Sequence, residues 1–234
     1  MREAVIVATA RTPIGRAFRG ALNNIKSPTL MGHAIRHAVL RAGIDGAEVE
    51  DVIVGSVLTA GTAGMNLARN AAIAAGIPVT AGAQTIDRQC ASGLTAIAAA
   101  AKQIVVDGNE VVVAGGQDNI SAVQKRYLEW VGAEKDPNVT RHAEHAYMPM
   151  LLTAENVVKK YGISRAAQDE YALSSQQRTA RGQADGRFDA EIVPITASMA
   201  VVDKATNAVS YKEVTLAQDE GNRPDTTAAS LAAL

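Results

Sequence analysis

Short apolar runs rich in β-branched residues alternate with helical segments through the first 118 residues of this 234-residue chain. Four strands are predicted, at 3–9, 51–58, 82–87 and 110–114. Three helices are predicted between them, at 27–42, 65–75 and 90–105. Because alternating strands and helices are typical of parallel sheets covered by helices, we expect an α/β protein with a layered, mixed but mainly parallel sheet between helices.

The sequence changes character after residue 118, which predicts an N-terminal core domain at 1–118 and a helical, irregular loop domain at 119–234. The second domain is expected to contain an irregular segment, two helices, a strand and a hairpin, at 119–150, 151–161, 164–181, 188–195 and 196–222. The last ten residues, DTTAASLAAL, begin like a capped helix and stop after about two turns. We therefore expect the loop domain to be incomplete.

The composition excludes several classes of protein. The chain has 23 Lys and Arg residues and 24 Asp and Glu residues, so its net charge is −1. It therefore lacks the excess of basic residues that is typical of proteins that bind nucleic acid. No run approaches the roughly 20 apolar residues of a membrane span, and the N-terminus lacks the pattern of a signal peptide. The single cysteine excludes an internal disulfide, which favours a cytoplasmic protein.

That single cysteine, Cys90, lies in the stretch TIDRQCASGLTA, where a predicted strand gives way to a helix. A lone cysteine among alanines is typically a small buried hydrophobic residue. Three features favour a nucleophile instead. The start of a helix favours a thiolate, and the small residues Ala-Ser-Gly leave the backbone N–H groups open to an oxyanion. The following helix is apolar nearly all round, which predicts that it is buried and that Cys90 lies at the end of a tunnel. These residues alone leave both interpretations open.

The other candidate residues favour structural interpretations. His33 and His37 are four residues apart on a helix, but they lack carboxylate or cysteine partners, so we expect no metal site. Gly115-Gly116 lacks both the dinucleotide pattern and the P-loop lysine, so a structural turn is expected there. His142 and His145 are interpreted as solvated loop residues.

Six stretches together resemble the thiolase family. In their order along the chain, which is also the family's order, they are RTPIGRAFRGAL, DRQCASGLTA, VVVAGGQDNIS, TAENVVKKYGISRAAQDEYALSSQQR, FDAEIVPI and DEGNRPDTT. The resemblance implies that Cys90 is the nucleophile that takes an acyl group from coenzyme A, with its own amide helping to bind the thioester oxygen. It implies an acyltransferase that interconverts 3-ketoacyl-CoA plus CoA with acyl-CoA plus acetyl-CoA, in fatty acid metabolism.

The resemblance also implies the remaining features of the site. Gly115-Gly116 would shape the pocket of the nucleophile, and Met150 would line the acyl-CoA channel, although a methionine is also common in core packing. The loop domain would hold the nucleotide end of CoA. CoA thioesters would be substrates, no cofactor would be bound permanently, and the chain would form a homo-oligomer, a dimer or a tetramer.

The sequence departs from the family pattern at several positions. Asp87 stands where asparagine is commoner, Asp118-Asn119 replaces Glu-Ser, Leu151-Leu152 stands where glycine is frequent, and Pro149 stands where short-chain members have histidine. The changes at Leu151-Leu152 and Pro149 leave the acyl chain length of the substrate undetermined.

The resemblance covers the N-terminal half of a thiolase. The second core domain, with its Asn-Glu-Ala-Phe stretch, its Gly-His-Pro motif and its second cysteine, has no counterpart here. Without that base we expect these residues alone to be inactive. The alternative is a non-catalytic half-thiolase that binds CoA or lipid, or one subunit of a two-chain enzyme.

Overall fold

The structure, a computed structural model, describes residues 2–234. It divides into two compact units, one comprising Met1–Tyr127 and Glu191–Glu220, the other Leu128–Ala190 and Gly221–Leu234. The α/β class expected from the sequence is confirmed in the first unit, which contains the parallel sheet. The domain boundary at residue 118 stays a prediction.

The first unit is built on a three-stranded parallel sheet. Its strands are β1 (Asp51–Gly55), β2 (Gly82–Ile86) and β3 (Val112–Gly116), in the order β2-β1-β3. Asp51 is paired with Gly82 on one side and with Val112 on the other. Three of the four predicted strands are therefore confirmed; β1 and β2 are shorter than predicted, whereas β3 has the predicted length and begins two residues later.

Helices cover both faces of this sheet. Helices α1 (Ser27–Ala42) and α2 (Leu67–Ala75) pack on one face, and α3 (Ser92–Lys102), continued by a π-helical turn at Gln103–Asp107, packs on the other. On the first face the buried core is made by side chains of both helices and of β1, including Met31, Ile35, Val39, Val52, Val54 and Leu67. Helix α1 begins with Pro28 in its first turn and ends at Gly43, whose φ of 70° is the left-handed conformation that glycine adopts easily.

The predicted strand at 3–9 is wrong. No backbone hydrogen bond joins residues 3–8 to any other described residue, and the side chains of Val5, Ile6 and Val7 are exposed by 71 to 76%. The β-branched pattern indicates that the segment is suited to a buried strand, but within residues 2–234 no neighbouring strand pairs with it.

The first unit also contains an antiparallel hairpin of β4 (Ile195–Val202) and β5 (Val209–Leu216), which confirms the hairpin expected within 196–222. The strand predicted at 188–195 is wrong over most of its length, because residues 188–191 form turns, Ile192 makes only an isolated bridge with Arg11, and β4 begins at Ile195. At the base of the hairpin, Ile195 and Ala197 are buried against Leu22 and Ile25.

The segment expected to be irregular, at 119–150, is largely helical: α4 (Ile120–Ala133) and α5 (Pro137–His142) occupy most of it. The side chain of Asn119 accepts a hydrogen bond from the N–H of Ala122 at 3.2 Å, and the side chain of Asp136 accepts one from the N–H of Asn138 at 2.7 Å. These side chains satisfy free amides at the starts of the two helices. Neither cap is among the predictions from the sequence.

The second unit is helical beyond α5. It contains α6 (Met150–Tyr161), α7 (Arg165–Ala184) and α8 (Ala228–Ala232), so the helices expected at 151–161 and 164–181 are confirmed. Ser164 caps α7 by accepting a hydrogen bond from the N–H of Ala167. Within this unit, the amide of Asn222 donates to the backbone and side-chain oxygens of Gln176 at 2.9 and 3.0 Å.

One stretch of the described residues, Gln89–Asp107, is long and apolar enough to cross a membrane by length and composition. Those two criteria are also met by helices of a packed core. Here Ala96 and Ala100 of α3 are buried against Ile53 of the sheet.

Glycines at three positions let α3 lie directly on the ends of β1 and β3. A Cβ atom at Gly55 would lie 2.2 Å from the carbonyl carbon of Ser92, and one at Gly116 would lie 2.9 Å from the Cα of Gly93. Real Cβ atoms do not approach so closely, so only glycine fits at Gly55 without a shift of the first turn of α3.

We expect Gly55→Ala to destabilise the first unit by about 1–3 kcal/mol or more, because the added methyl group would clash with backbone atoms that cannot rotate away. Urea unfolding followed by circular dichroism measures the effect. Gly132→Ala in α4 is the matched control: nothing lies within 4 Å of that Cβ position, so the change should be neutral or stabilising by about 0.5–1 kcal/mol. Equal stabilities of wild type and Gly55→Ala would contradict the close contact.

A charge network holds the loop that precedes α1. Arg11 donates to both carboxylate oxygens of Asp219, at 2.7 and 3.0 Å, and to Glu191 at 2.8 Å. Asp219 also accepts the N–H of Ile14 at 2.8 Å. Burial raises the pKa of Asp219, but the hydrogen bonds from Arg11 and Ile14 and the charge of Arg11 outweigh burial and hold that pKa below its ordinary value. The carboxylate therefore stabilises the fold at neutral pH.

We expect Asp219→Asn to lower the free energy of unfolding at pH 7 by about 1–3 kcal/mol, since it removes charged hydrogen bonds in a partly exposed site. Because the folded pKa is depressed, this stabilisation is present above the unfolded pKa of about 3.9 and is lost as the pH falls through the folded value. The difference between wild type and variant should therefore shrink below about pH 4. Glu110→Gln, at an exposed ion pair with Arg2, is the control and should change little. If the difference in the free energy of unfolding between wild type and Asp219→Asn did not change with pH, the stabilisation could not come from the ionised carboxylate.

Candidate active site

Cys90 lies in a tight turn between β2 and α3, two residues before the helix begins at Ser92. Its predecessor Gln89 has a φ of 50°, a left-handed conformation that is uncommon outside glycine. The hydroxyl of Ser92 donates to the carbonyl of Gln89 at 2.6 Å and accepts the N–H of Arg88 at 2.8 Å. The sequence Cys-Ala-Ser therefore places the Ser92 hydroxyl where its two hydrogen bonds stabilise the turn that carries the sulfur.

The thiol is exposed. This finding excludes the interpretation of Cys90 as core packing within residues 2–234. The expected tunnel is also wrong for this part of the chain, because α3 buries only one side: Ser92, Ala96 and Ala100 are buried, whereas Leu94 is 72% exposed. A helix rich in alanine and leucine can be buried all round, but the described residues cover only the side that faces the sheet.

The first turn of α3 presents free amides beside the thiol. Within residues 2–234, the N–H groups of Gly93 and Leu94 make no hydrogen bond, and the N-cap residue Ala91 has no side chain that could accept one. The first amides of a helix carry partial positive charge. This end of α3 is therefore suited to an anionic sulfur or to an oxygen that gains negative charge.

A cavity of about 350 Å³ opens at the thiol. Its walls come from the ends of β1 and β3 and from the start of α3, namely Gly55, Gln89, Cys90, Ser92, Gly93, Ile97, Gly115, Gly116, Gln117 and Asp118. It thus lies at the carboxyl ends of the parallel strands, where α/β proteins commonly bind ligands. The turn expected at Gly115-Gly116 is wrong, because both residues belong to β3.

Asp118, one of the departures from the family pattern, organises one rim of this cavity. Its carboxylate accepts the hydroxyl of Ser56 at 3.2 Å and the N–H groups of Val57 and Leu58 at 3.0 and 2.9 Å. These bonds turn the chain away from the sheet directly after β1. Asp118 therefore fixes the loop shape through one oxygen, and no local sequence signal links it to residues about 60 positions earlier.

Three of the other candidates belong to the second unit. Met150 is the first residue of α6 in the second unit and is 72% exposed, so its place in an acyl channel stays a prediction. His142 ends α5 and His145 lies in the following turn, and both are exposed. None of the chain's four histidines lines the cavity at Cys90.

His33 and His37 lie together on α1, with ring centroids 4.5 Å apart. Burial lowers the pKa of His33, and His37 lowers it further, which outweighs the opposite effect of backbone groups at Pro194 and Val193. Across residues 2–234, no cluster of three or more His, Cys, Asp or Glu side chains could hold a metal ion.

Comparison with known proteins identifies the family. The family model of the thiolase N-terminal domain matches residues 4–234. The chain is 38% identical over its whole length to a 3-ketoacyl-CoA thiolase of Bacillus subtilis, of which it covers 59%. It is 44% identical over 83% of its length to an acetyl-CoA acetyltransferase of Cupriavidus necator, of which it covers 51%.

The structural comparison agrees. The crystal structure of the Bacillus anthracis acetyl-CoA acetyltransferase superposes with a TM-score of 0.82 at 37% identity, and the match covers all of this chain and 58% of that one. The chain thus spans a little over half the length of the relatives it matches. The family model matches nearly the whole chain, the relatives are well above 30% identical, and the fold is the same. The chain therefore belongs to the thiolase family and corresponds to the N-terminal half of a thiolase.

Proposed function

We propose that this chain carries the nucleophile of an acyltransferase that interconverts 3-ketoacyl-CoA plus CoA with acyl-CoA plus acetyl-CoA. The observation that carries the proposal is the placement of Cys90: an exposed thiol, on a turn fastened by Ser92, beside the free amides of Gly93 and Leu94. Such a turn holds the sulfur against a cavity and offers hydrogen-bond donors for an oxyanion.

In the proposed reaction, the Sγ atom of Cys90 attacks the thioester or ketone carbonyl of the substrate. The carbonyl oxygen gains negative charge and is stabilised by amides at the start of α3, with the N–H of Cys90 itself in reach of that role. The bond to the leaving group then breaks, and the acyl group stays on Cys90 as a thioester. A second molecule, CoA or the acetyl-CoA carbanion, takes the acyl group in the second half-reaction.

Both half-reactions need a proton acceptor. No histidine lines the cavity at Cys90, and we propose that the base comes from the second thiolase half that the family implies. General acid–base help contributes roughly 10² to 10⁴ in rate. Residues 1–234 by themselves are therefore proposed to accept an acyl group slowly and not to turn over.

The second unit is proposed to hold the nucleotide end of CoA, with Met150 on the side of the acyl chain. Its exposure at the start of α6 leaves it available for such contact. CoA thioesters would enter as substrates, and no cofactor would be bound permanently. We propose a cytoplasmic location, in line with the single cysteine.

The homo-oligomer is proposed to form through the outer edge of β2. Strand β2 pairs only with β1. Of its outward groups, the carbonyl of Ala83 is covered by the side chain of Asn66 at 3.0 Å. Beside this edge, Met65 has a left-handed φ of 54° and is 93% exposed. An exposed large side chain on strained backbone next to an open strand edge suits a contact between copies.

We expect acetyl-CoA to acetylate the folded protein once, at Cys90, and iodoacetamide to block that reaction. Cys90→Ser should slow the acetylation by a factor of about 10² or more, because an alkoxide forms much less readily than a thiolate. Intact mass and peptide mapping identify the site.

The control is Cys90→Ser combined with Ser174→Cys, which moves the only thiol to an exposed position on α7. This thiol should react with iodoacetamide but not with acetyl-CoA at the wild-type rate. Equal rates of acetylation at the two thiols would show that the turn at Cys90 does not increase the reactivity of its thiol. Saturable binding of acetyl-CoA with no acetylation of wild type would favour the non-catalytic CoA-binding alternative.

For the oligomer, we expect light scattering to show a dimer at least, and Ala83→Pro to raise its dissociation constant by about tenfold or more through loss of an outward N–H and steric block. Ala83→Val keeps the N–H and is the matched control. Circular dichroism checks that both variants fold. A wild-type monomer at micromolar concentration, or equal dimerisation of both variants, would contradict this edge as the interface.

A further inference from the structure

The residue before the nucleophile has a strained backbone. Gln89 has a φ of 50°, and the left-handed region is disfavoured about tenfold or more for a residue that carries a Cβ atom. A strained conformation of this kind persists only where surrounding groups hold it, and such residues cluster at functional sites. The groups that hold Gln89 are therefore candidates for a role at Cys90.

Hydrogen bonds hold Gln89 on both sides of its Cα atom. On one side, its N–H donates to the Oδ1 atom of Asp87 at 2.9 Å. On the other side, its carbonyl accepts the Ser92 hydroxyl at 2.6 Å and the Ser92 N–H at 3.0 Å. The bonds from Ser92 fix only the peptide group that joins Gln89 to Cys90. The bond to Asp87 fixes the preceding peptide group, so both sets of bonds are needed to define φ and ψ of Gln89.

Asp87 is joined directly to the sheet. It follows Ile86, the last residue of β2, whose carbonyl accepts the N–H of Ser56 at 3.0 Å. A carboxylate that binds the N–H two residues further along the chain is a common way to stabilise a turn. Among the described residues, Asp87 is not one of those that line the cavity at Cys90. Any effect of Asp87 on the reaction therefore passes through Gln89.

The two peptide groups determine where the thiol and its own amide point. The peptide bonds here are trans, so the carbonyl and the N–H of one peptide group point in opposite directions. The bonds from Ser92 to the carbonyl of Gln89 therefore turn the N–H of Cys90 away from Ser92. Within residues 2–234 this N–H donates to no acceptor, and it stays available to the oxygen of a carbonyl under attack. A rotation at Gln89 would move this N–H and Sγ relative to the amides of α3.

We propose that Asp87 is a positioning residue for acyl transfer. Through the N–H of Gln89, its carboxylate holds the turn in which Sγ and the N–H of Cys90 are aligned for attack on a carbonyl. The proposal rests on the proposed role of Cys90 as the nucleophile. It assigns to Asp87 an effect on the rate of acylation that a carboxylate with a purely structural role would not have.

Two reagents separate the alignment of the thiol from simple access to it. Iodoacetamide alkylates an accessible thiolate and needs no donor for an oxyanion. p-Nitrophenyl acetate transfers an acetyl group through an oxyanion, but it has no CoA moiety that must be recognised. The ratio of the two rates at Cys90 therefore reports alignment independently of CoA binding. Acetyl-CoA is used in parallel as the acyl donor of the proposed function.

We expect Asp87→Ala to slow the acetylation of Cys90 by p-nitrophenyl acetate by about tenfold or more, because a displacement of about 1 Å at a reacting group can cost about 100-fold in rate. Alkylation by iodoacetamide should change by less than about threefold, since the thiol stays exposed. Asp87→Asn keeps an oxygen acceptor and should retain the wild-type acetylation rate to within about threefold. Release of p-nitrophenolate and the intact mass measure the reaction.

Asp45→Ala is the matched control. Asp45 makes the same kind of bond in the first unit, because its Oδ1 atom accepts the N–H of Ala47 at 2.9 Å. Its loss removes the same charge and should alter neither rate. Circular dichroism checks that each variant folds.

A second substitution tests whether Asp87 acts through the backbone of Gln89. Glycine adopts the left-handed region without strain, so a turn with Gln89→Gly depends less on the carboxylate. In that background, Asp87→Ala should slow acetylation by less than about threefold, which is a non-additive effect of two linked positions. An unchanged, tenfold effect in the Gln89→Gly background would contradict the route through Gln89.

The proposal is overturned if Asp87→Ala lowers the rates of acetylation and alkylation equally, or lowers acetylation no more than Asp45→Ala does. It is also overturned if wild-type Cys90 reacts with p-nitrophenyl acetate no faster than the thiol of the variant that combines Cys90→Ser with Ser174→Cys. Acetylation by p-nitrophenyl acetate but not by acetyl-CoA would contradict the proposed use of CoA thioesters. The rates of the Asp87 variants with p-nitrophenyl acetate would still decide the role of Asp87.

Discussion

The close contact between α3 and the ends of β1 and β3 is the constraint on which the candidate site depends. Gly55 and Gly116 have no side chain, so the backbone at Ser92 and Gly93 rests directly on the two strands. Any larger residue at Gly55 would lift the start of the helix. That contact fixes where the turn carrying Cys90 lies and where the free amides of α3 point, and therefore fixes the geometry available for attack on a carbonyl.

Carboxylates shape the loops after β1 and before α1 without taking part in the proposed chemistry. Asp118 turns the chain after β1 by accepting bonds from Val57 and Leu58, and Asp219 holds the loop before α1 through Arg11. Glu220 adds a second carboxylate that accepts the N–H groups of Arg16 and Ala21. Ionised carboxylates make strong bonds to backbone N–H groups. In the loop before α1, these bonds add to the apolar packing of Leu22 and Ile25.

The open edges of the sheet follow from the same architecture. Three strands leave one unpaired edge at β2 and one at β3, and the two are not equivalent. The edge of β2 is partly covered by Asn66, whereas the edge of β3 faces an apolar cavity with unpaired backbone on its far side. Charged and polar side chains commonly blunt an edge, and only β2 has such a cover here.

The sequence by itself determined the α/β class, three of the four predicted strands, helices α6 and α7 of the second unit, and the position of Cys90 between a strand and a helix. These features depend on hydrophobic periodicity, on helix caps and on a motif of adjacent residues, all of which are local. It did not determine that residues 3–9 lack a pairing partner, because an apolar β-branched run shows only that a segment suits a strand. Nor did it indicate the contact of Gly55 with Ser92, or the carboxylate of Asp118 reaching back 62 residues to Ser56. Tertiary structure alone decided these features, since each depends on backbone brought together from distant parts of the chain.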